Sequence, residues 1–357
     1  MKNSRFLLVI LFACLAAPAI EAQSTPTPAL LVLAKEDTTL LIIDPSTLKM
    51  VGRVPAGPDP HEVEASPDGK LAYVSNYGFG AYNTISRIDL VEQKALTPID
   101  LGLLHGPHGL TFGGGELYFT AEANKVIGRY NPATEKLDWV LGTGQNRTHM
   151  ILVSQDLVRI YTTNVSSATV SIIEKRRSAG GPPPPPNGPG GPPPNRPGGS
   201  RPRMGTPPPD WNQTVIPVGR GSEGFDVAPG GKELWTANAQ DGTISIIDLA
   251  SEKITDTLNA NVPGANRLKF TLDGKLVLVS SLGDGDLTVF DAALRREVKR
   301  IKVGHGAAGI LMEPGGARAF VACSPDNNVA VIDLKTLEVT GHVETGRGPD
   351  GLAWAVR

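Results

Sequence analysis

Cysteine is nearly absent: the 357 residues hold only Cys14 and Cys323. That excludes a fold built on disulfides and any metal site made of clustered thiolates. Net charge is lacking too, with 34 basic residues against 36 acidic ones. A chain so close to neutrality has no broad field for attracting nucleic acid. Three motifs are missing as well: a Gly-x-x-x-x-Gly-Lys-Ser/Thr loop, a Cys-x-x-Cys-His haem attachment and a Gly-x-Ser-x-Gly elbow. P-loop nucleotide, c-type haem and serine-hydrolase readings therefore fall away. Gly113-Gly114-Gly115 reads as a turn between strands. After Ala17 no apolar run is long enough to span a bilayer.

What is present begins with an address. Lys2 and Arg5 precede an apolar run, Phe6–Ala17, that is too short to cross a bilayer comfortably. Ile20-Glu21-Ala22 offers a cleavage site. The expectation is a signal peptide at 1–22, a mature chain at 23–357 and a periplasmic or secreted location without a transmembrane segment.

Glycine and proline make up about a fifth of the chain, against roughly 12% in ordinary proteins. Much of the excess lies in Arg176–Pro209, which has 14 Pro, 8 Gly and five Arg in 34 residues. Such a composition cannot bury a core and predicts a disordered or polyproline-like insertion. It reads either as a tolerated loop or as an attachment to an envelope or protein partner.

Elsewhere a unit of about 43 residues recurs. Its third strand ends in a marker at Asp44, Asp89, Asn131, Glu174, Asp248, Asp291 and Asp333. Six spacings separate them, one lengthened by the insertion, so seven units are expected. Each unit shows four short strands with period-two alternation, as in Thr84–Asp89, and polar turns such as Ser66-Pro67-Asp68-Gly69. That predicts an all-β, seven-bladed β-propeller of four-stranded blades. Leu30–Ala56 supplies three strands and Gly348–Ala355 supplies one, so the two ends complete the seventh blade between them.

Tyr73-Val74-Ser75-Asn76, with its echoes Tyr161–Asn164 and Trp235–Asn238, resembles the YVTN β-propeller repeat family. The resemblance covers residues 30–357 apart from the insertion. It implies an exported propeller, distantly similar to lactonase and quinoprotein propellers, and it says little about activity. The later blades depart from the motif, with Ser281 and Cys323 in place of Asn.

The first strand of each blade lines the central channel in this architecture. At one repeat phase, near the start of that strand, stand His61, His108, His149, Glu223, Asn266, Ala308 and Asp350. Three of the chain's six histidines fall there in consecutive blades. With Glu223 beside them they match a first-row metal site, Zn or Fe ahead of Ca. Glu223 and Arg147 are the candidate catalytic residues, acting on a small, anionic ligand at the channel mouth. The activity expected is a lactone or ester hydrolase or a lyase. Two other readings stay open. Glu223, Asn266 and Asp350 offer oxygen ligands suited to Ca, and all seven residues can serve as a polar, hydrated channel in a non-catalytic binding propeller. A second ring, Lys35, Asn76, Ala121, Asn164, Asn238, Ser281 and Cys323, is expected where strand two ends. Tyr77 and Glu122 follow it in the adjoining loops.

Overall fold

The computed structural model describes residues 24–175 and 211–357. Among them the strands, numbered β1 to β28 along the chain, form seven four-stranded antiparallel sheets arranged as a propeller. The ring closes as the sequence implies. β28 (Pro349–Ala355) is the inner strand of the sheet that β1 (Ala29–Ala34) continues, pairing Ala29 with Ala355 and Ala34 with Pro349. Every residue of β1 is buried. Leu31 and Leu33 pack with Val63 and Val74 of one neighbouring blade, Leu30 and Val32 with Phe320 and Val331 of the other. A strand covered on both faces has no polar side, so it reads as a continuous apolar run rather than an alternating one.

The recurring Asp marker has a local cause. At six of the seven positions its side chain accepts a backbone N–H two or three residues on. Asp44 does so from Ser46 at 2.9 Å, Asp248 from Ser251 at 2.7 Å and Asp333 from Lys335 at 2.9 Å. This is an Asx turn, and it shapes the hairpin between strands three and four. Glu174 is the exception. It pairs instead with Arg159, and its hairpin carries the long insertion. β14 (Thr169–Lys175) and β15 (Trp211–Pro217) remain in register from Thr169–Pro217 to Lys175–Trp211. The predicted signal peptide (1–22) and Pro-rich insertion (176–209) lie outside the described residues. Among the described residues no helix is long and apolar enough to cross a membrane.

The motif asparagines hold the hairpin between strands two and three. Asn164 donates to the Thr169 and Ser171 hydroxyls at 3.1 and 2.9 Å, and Asn238 repeats this with Thr243 and Ser245 at 2.9 and 3.0 Å.

Each inner strand carries a β-bulge at its second and third residues. In β4 (Pro60–Ala65), Pro60 pairs with Asn76 and Val63 with Val74, so His61 and Glu62 together oppose Ser75. The same shift occurs in β8 (Pro107–Gly113), β12 (Thr148–Val153), β16 (Ser222–Val227), β20 (Ala265–Phe270), β24 (Ala307–Met312) and β28. A bulge bends the strand and re-aims a side chain. Here it affects the residue phase singled out in the sequence.

Candidate functional site

That phase is the second residue of all seven inner strands, and all seven side chains line one cavity of about 430 Å³ at the channel mouth. Hydroxyls from strand two fix the bulges. Thr120 accepts the Gly109 N–H at 2.9 Å and donates to the His149 carbonyl of the next blade at 2.8 Å. Thr163 links Met150 to Glu223, and Ser280 links Arg267 to Ala308, in the same way. Gly109 and Gly224 are needed for this close approach. A Cβ at Gly109 would stand 2.6 Å from the His149 carbonyl oxygen, and one at Gly224 would stand 2.5 Å from that of Asn266. Thr120→Val removes one donor and one acceptor from buried backbone groups. The expected cost is about 1–3 kcal/mol, read as a lowered urea midpoint with an unchanged m-value.

His149 is the hub of the site. It is buried, with Nδ1 bonded to Glu122 and Nε2 3.0 Å from Glu223 Oε1. Burial disfavours its charge, but the two carboxylates prevail and raise its pKa above the ordinary histidine value. Glu223 moves the opposite way. Burial raises its pKa, but the His149 hydrogen bond and charge, with Arg147 and Arg267, bring it down to about 2. Tyr77 donates its hydroxyl to Glu122 Oε2 at 2.5 Å.

His108 stacks on His149 with ring centroids 3.7 Å apart. Burial first, then neighbouring His149, His61, Arg267 and Arg147, hold its pKa well below the usual value, so the ring is neutral. It is 2% exposed, and its Nδ1 has no hydrogen-bond partner among the described residues. A neutral imidazole with an unpaired buried nitrogen has a lone pair that could serve a metal ion. Ligand atoms of His108, Glu122 and His149 all lie within 4.8 Å of one another.

His61 reaches the same cavity, its ring 5.2 Å from that of His108. Its nitrogens are engaged otherwise. Lys35 Nζ sits 2.6 Å from Nε2, and Nδ1 faces the Asp59 carbonyl at 3.2 Å. Burial, then Lys35, lowers its pKa. The structure thus gathers His61, His108, His149 and Glu223 in one cup, while the tightest set substitutes Glu122 for His61 and Glu223. The oxygen-rich arc is differently engaged. Asp350 meets Lys35 at 3.5 Å, Asn266 accepts from Arg267 at 3.3 Å and Glu223 meets His149.

Arg147 spans the two carboxylates, with Nε 3.6 Å from Glu122 and Nη2 3.7 Å from Glu223. Its φ is +55°, in the left-handed region. The equivalent residue, two before the inner-strand ring position, has positive φ in every blade: Asp59, Gly106, Arg147, Gly221, Gly264, Gly306 and Gly348. Five blades use glycine, for which this conformation is free of strain. The two that do not place Asp59 and Arg147 on the cavity wall. Asp tolerates this conformation, whereas Arg147 adopts it at some cost in strain while presenting its charge to the cavity.

Six members of the second ring, Asn76, Ala121, Asn164, Asn238, Ser281 and Cys323, end strand two as expected, and only Lys35 lies one residue beyond its strand. β1 ends at Ala34, which aligns with Asn76, so the residues just past strand two include Lys35, Tyr77, Glu122, Leu282 and Ser324. Four of these line the cavity and Glu122 contributes to the tight cluster. Arg220 and Arg347 lie on the surface, paired with Asp241 and Asp37. His305 is exposed beside Asp326 and His342 lies on an outer strand. Burial pushes the Cys323 thiol up to about 11, so it is an inert packing group. Beneath the ring, Arg267 reaches across the channel to Glu62, and this ion pair floors the cup.

Solved structures resemble this chain along most of its length at low identity. A functionally unknown protein from Desulfotomaculum acetoxidans is 13% identical with a TM-score of 0.71, over 92% of this chain and 99% of that one. A candidate 6-phosphogluconolactonase from Bacteroides uniformis is 13% identical with a TM-score of 0.69, again over 92% and 99%. Hydrazine synthase from Kuenenia stuttgartiensis is 17% identical with a TM-score of 0.66, over 89% and 98%. Likeness at this level carries the propeller fold and leaves function to the site. No protein-family model matches the chain, and no curated protein does.

Proposed function

We propose that this chain is an exported, YVTN-type propeller of the periplasm or cell exterior. Its channel mouth would hold a divalent first-row metal ion and act on a small molecule as a hydrolase or lyase. The observation that carries this reading is the orphaned Nδ1 of neutral His108 beside His149 and Glu122. Two imidazoles and a carboxylate suit Zn or Fe better than Ca. An ion held there would supply Lewis acidity at a carbonyl oxygen.

The surrounding residues take distinct parts. Tyr77 orients Glu122 and Glu223 orients His149 through Nε2, so an ion would displace the proton between His149 Nδ1 and Glu122, and its uptake should release a proton. A carboxylate held at about 2 is a poor proton acceptor at neutral pH, so Glu223 suits ligation better than general-base work. Arg147 balances both carboxylates. Lys35, Arg147 and Arg267 each already face a carboxylate. The negative charge of an anionic substrate would therefore be met mainly by the ion. The insertion at 176–209 is the proposed attachment to an envelope or protein partner.

Complete pairing of those cations also favours the second reading, a non-catalytic ligand-binding propeller. Metal titration separates the two. Untagged protein should take up one equivalent of Zn2+ or Fe2+ in calorimetry. His108→Ala should abolish uptake, and Tyr77→Phe should weaken it about 10–100-fold. Uptake that is absent, or indifferent to His108→Ala, leaves only the binding reading.

A further inference from the structure

The cup is polar at its base and apolar at its brim. Two large hydrophobic side chains line it while standing in water: Phe79 is 81% exposed and Leu282 is 49% exposed. They come from the loops after strand two in the blades of β4 and β20. Those blades stand three steps apart in the seven-blade ring, so the two side chains face each other across the mouth.

Phe79 is held there by construction. Its φ is +51°, between Gly78 at +52° and Gly80 at +95°. An aromatic residue in this region is a real outlier. The glycines carry the chain through the turn, while Phe79 itself stays strained. The turn is tied to the site as well. Asp59 accepts the Gly78 N–H on its carboxylate at 2.7 Å and faces His61 Nδ1 with the same oxygen at 3.5 Å. The Phe79 ring lies 5.0 Å from Tyr77 and 6.3 Å from His61, leaving its outer face open. A strained turn, anchored to the site and presenting an open aromatic face, is arranged for a ligand.

We infer that the ligand is amphiphilic. A carboxylate or carbonyl end reaches the His108–His149–Glu122 base, and a flat apolar body rests on Phe79 with Leu282 opposite. This deepens the proposed function and rests on it for the placement of the polar end. A cavity of about 430 Å³ is of the size that holds a small organic molecule.

Calorimetric titration with acetate, benzoate and 2-naphthoate tests the idea on the full protein, before and after Zn2+ loading. Affinity should rise at least about tenfold from acetate to 2-naphthoate. Phe79→Ala should reduce 2-naphthoate affinity about five- to tenfold and leave acetate and Zn2+ binding unchanged. Phe79→Trp should keep the gradient, and Leu282→Ala should reduce it less. A flat series, or a gradient that survives both alanine variants, overturns the inference. Failure of Zn2+ to bind while the Phe79-dependent gradient persists supports the apolar clamp and refutes only the metal. Zn2+ binding with a flat series does the reverse.

Discussion

Arg267→Met is expected to destabilise the protein by about 3–5 kcal/mol at neutral pH. Arg267 is 7% exposed and its guanidinium meets Glu62 from the far side of the channel. Burial works against its charge, yet Glu62, Asp350 and Glu223 hold its pKa above the ordinary value. Removing the cation leaves Glu62, whose side chain is only 14% exposed, without its partner. The loss therefore comes from the stranded partner more than from the missing attraction. For that reason the double variant Glu62→Leu/Arg267→Met should recover most of the stability. Denaturant titration of the three proteins at pH 7 decides the matter. A single variant within about 1 kcal/mol of wild type would show that channel water screens the pair, and the floor of the cup would then be wet rather than closed by charge.

Much of this arrangement was legible in the sequence. The marker at Asp44, Asp89 and their equivalents gave the period, because an Asx turn demands a short polar side chain at one place in each blade. The period then placed His61, His108, His149 and Glu223 at a single depth, and propeller geometry converts equal depth into proximity around one axis. The pairing within the ring was not legible. Lys35 claims Nε2 of His61, and Glu122 takes Nδ1 of His149. Both come from the residue after strand two, one position beyond the ring the motif asparagines define. The asparagines draw attention because they recur, but they recur to hold hairpins. Lys35, Tyr77, Glu122 and Leu282 differ from blade to blade, so no repeat marks them. Glycine stands two residues before the ring position in five blades, and its replacement by Asp59 and Arg147 marks the two blades that present a charge there. The cross-channel pair of Glu62 and Arg267 could not be read at all, since nothing local distinguishes a partner 205 residues away.

Glu64→Gln is expected to stabilise the protein, and to do so only above acid pH. Glu64 lies on β4 two residues past Glu62, so both face the channel. Burial pushes its pKa up from the ordinary 4.5 to about 7, against the opposing pull of Lys269 and the Phe112 N–H. A shift of this sign means that the native state binds the proton more tightly than the unfolded chain. Below pH 4.5 both states are protonated and the site costs nothing. As pH rises toward 7 the unfolded chain ionises while the native carboxyl resists, and stability falls. Above 7 the penalty is complete, at most about 3 kcal/mol. Glutamine keeps an acceptor for the Phe112 N–H and carries no charge to desolvate, and Lys269 retains Asp226 at 3.8 Å. The variant should therefore match wild type at pH 4 and exceed it by about 2–3 kcal/mol at pH 8, measured as the difference in denaturant midpoints. Equal stability at both pH values would mean that water or Lys269 solvates the carboxylate fully. A gain confined to pH 8 would instead show the channel below the cup to be dry enough to penalise an unpaired charge, the same condition that makes Arg267 indispensable above it.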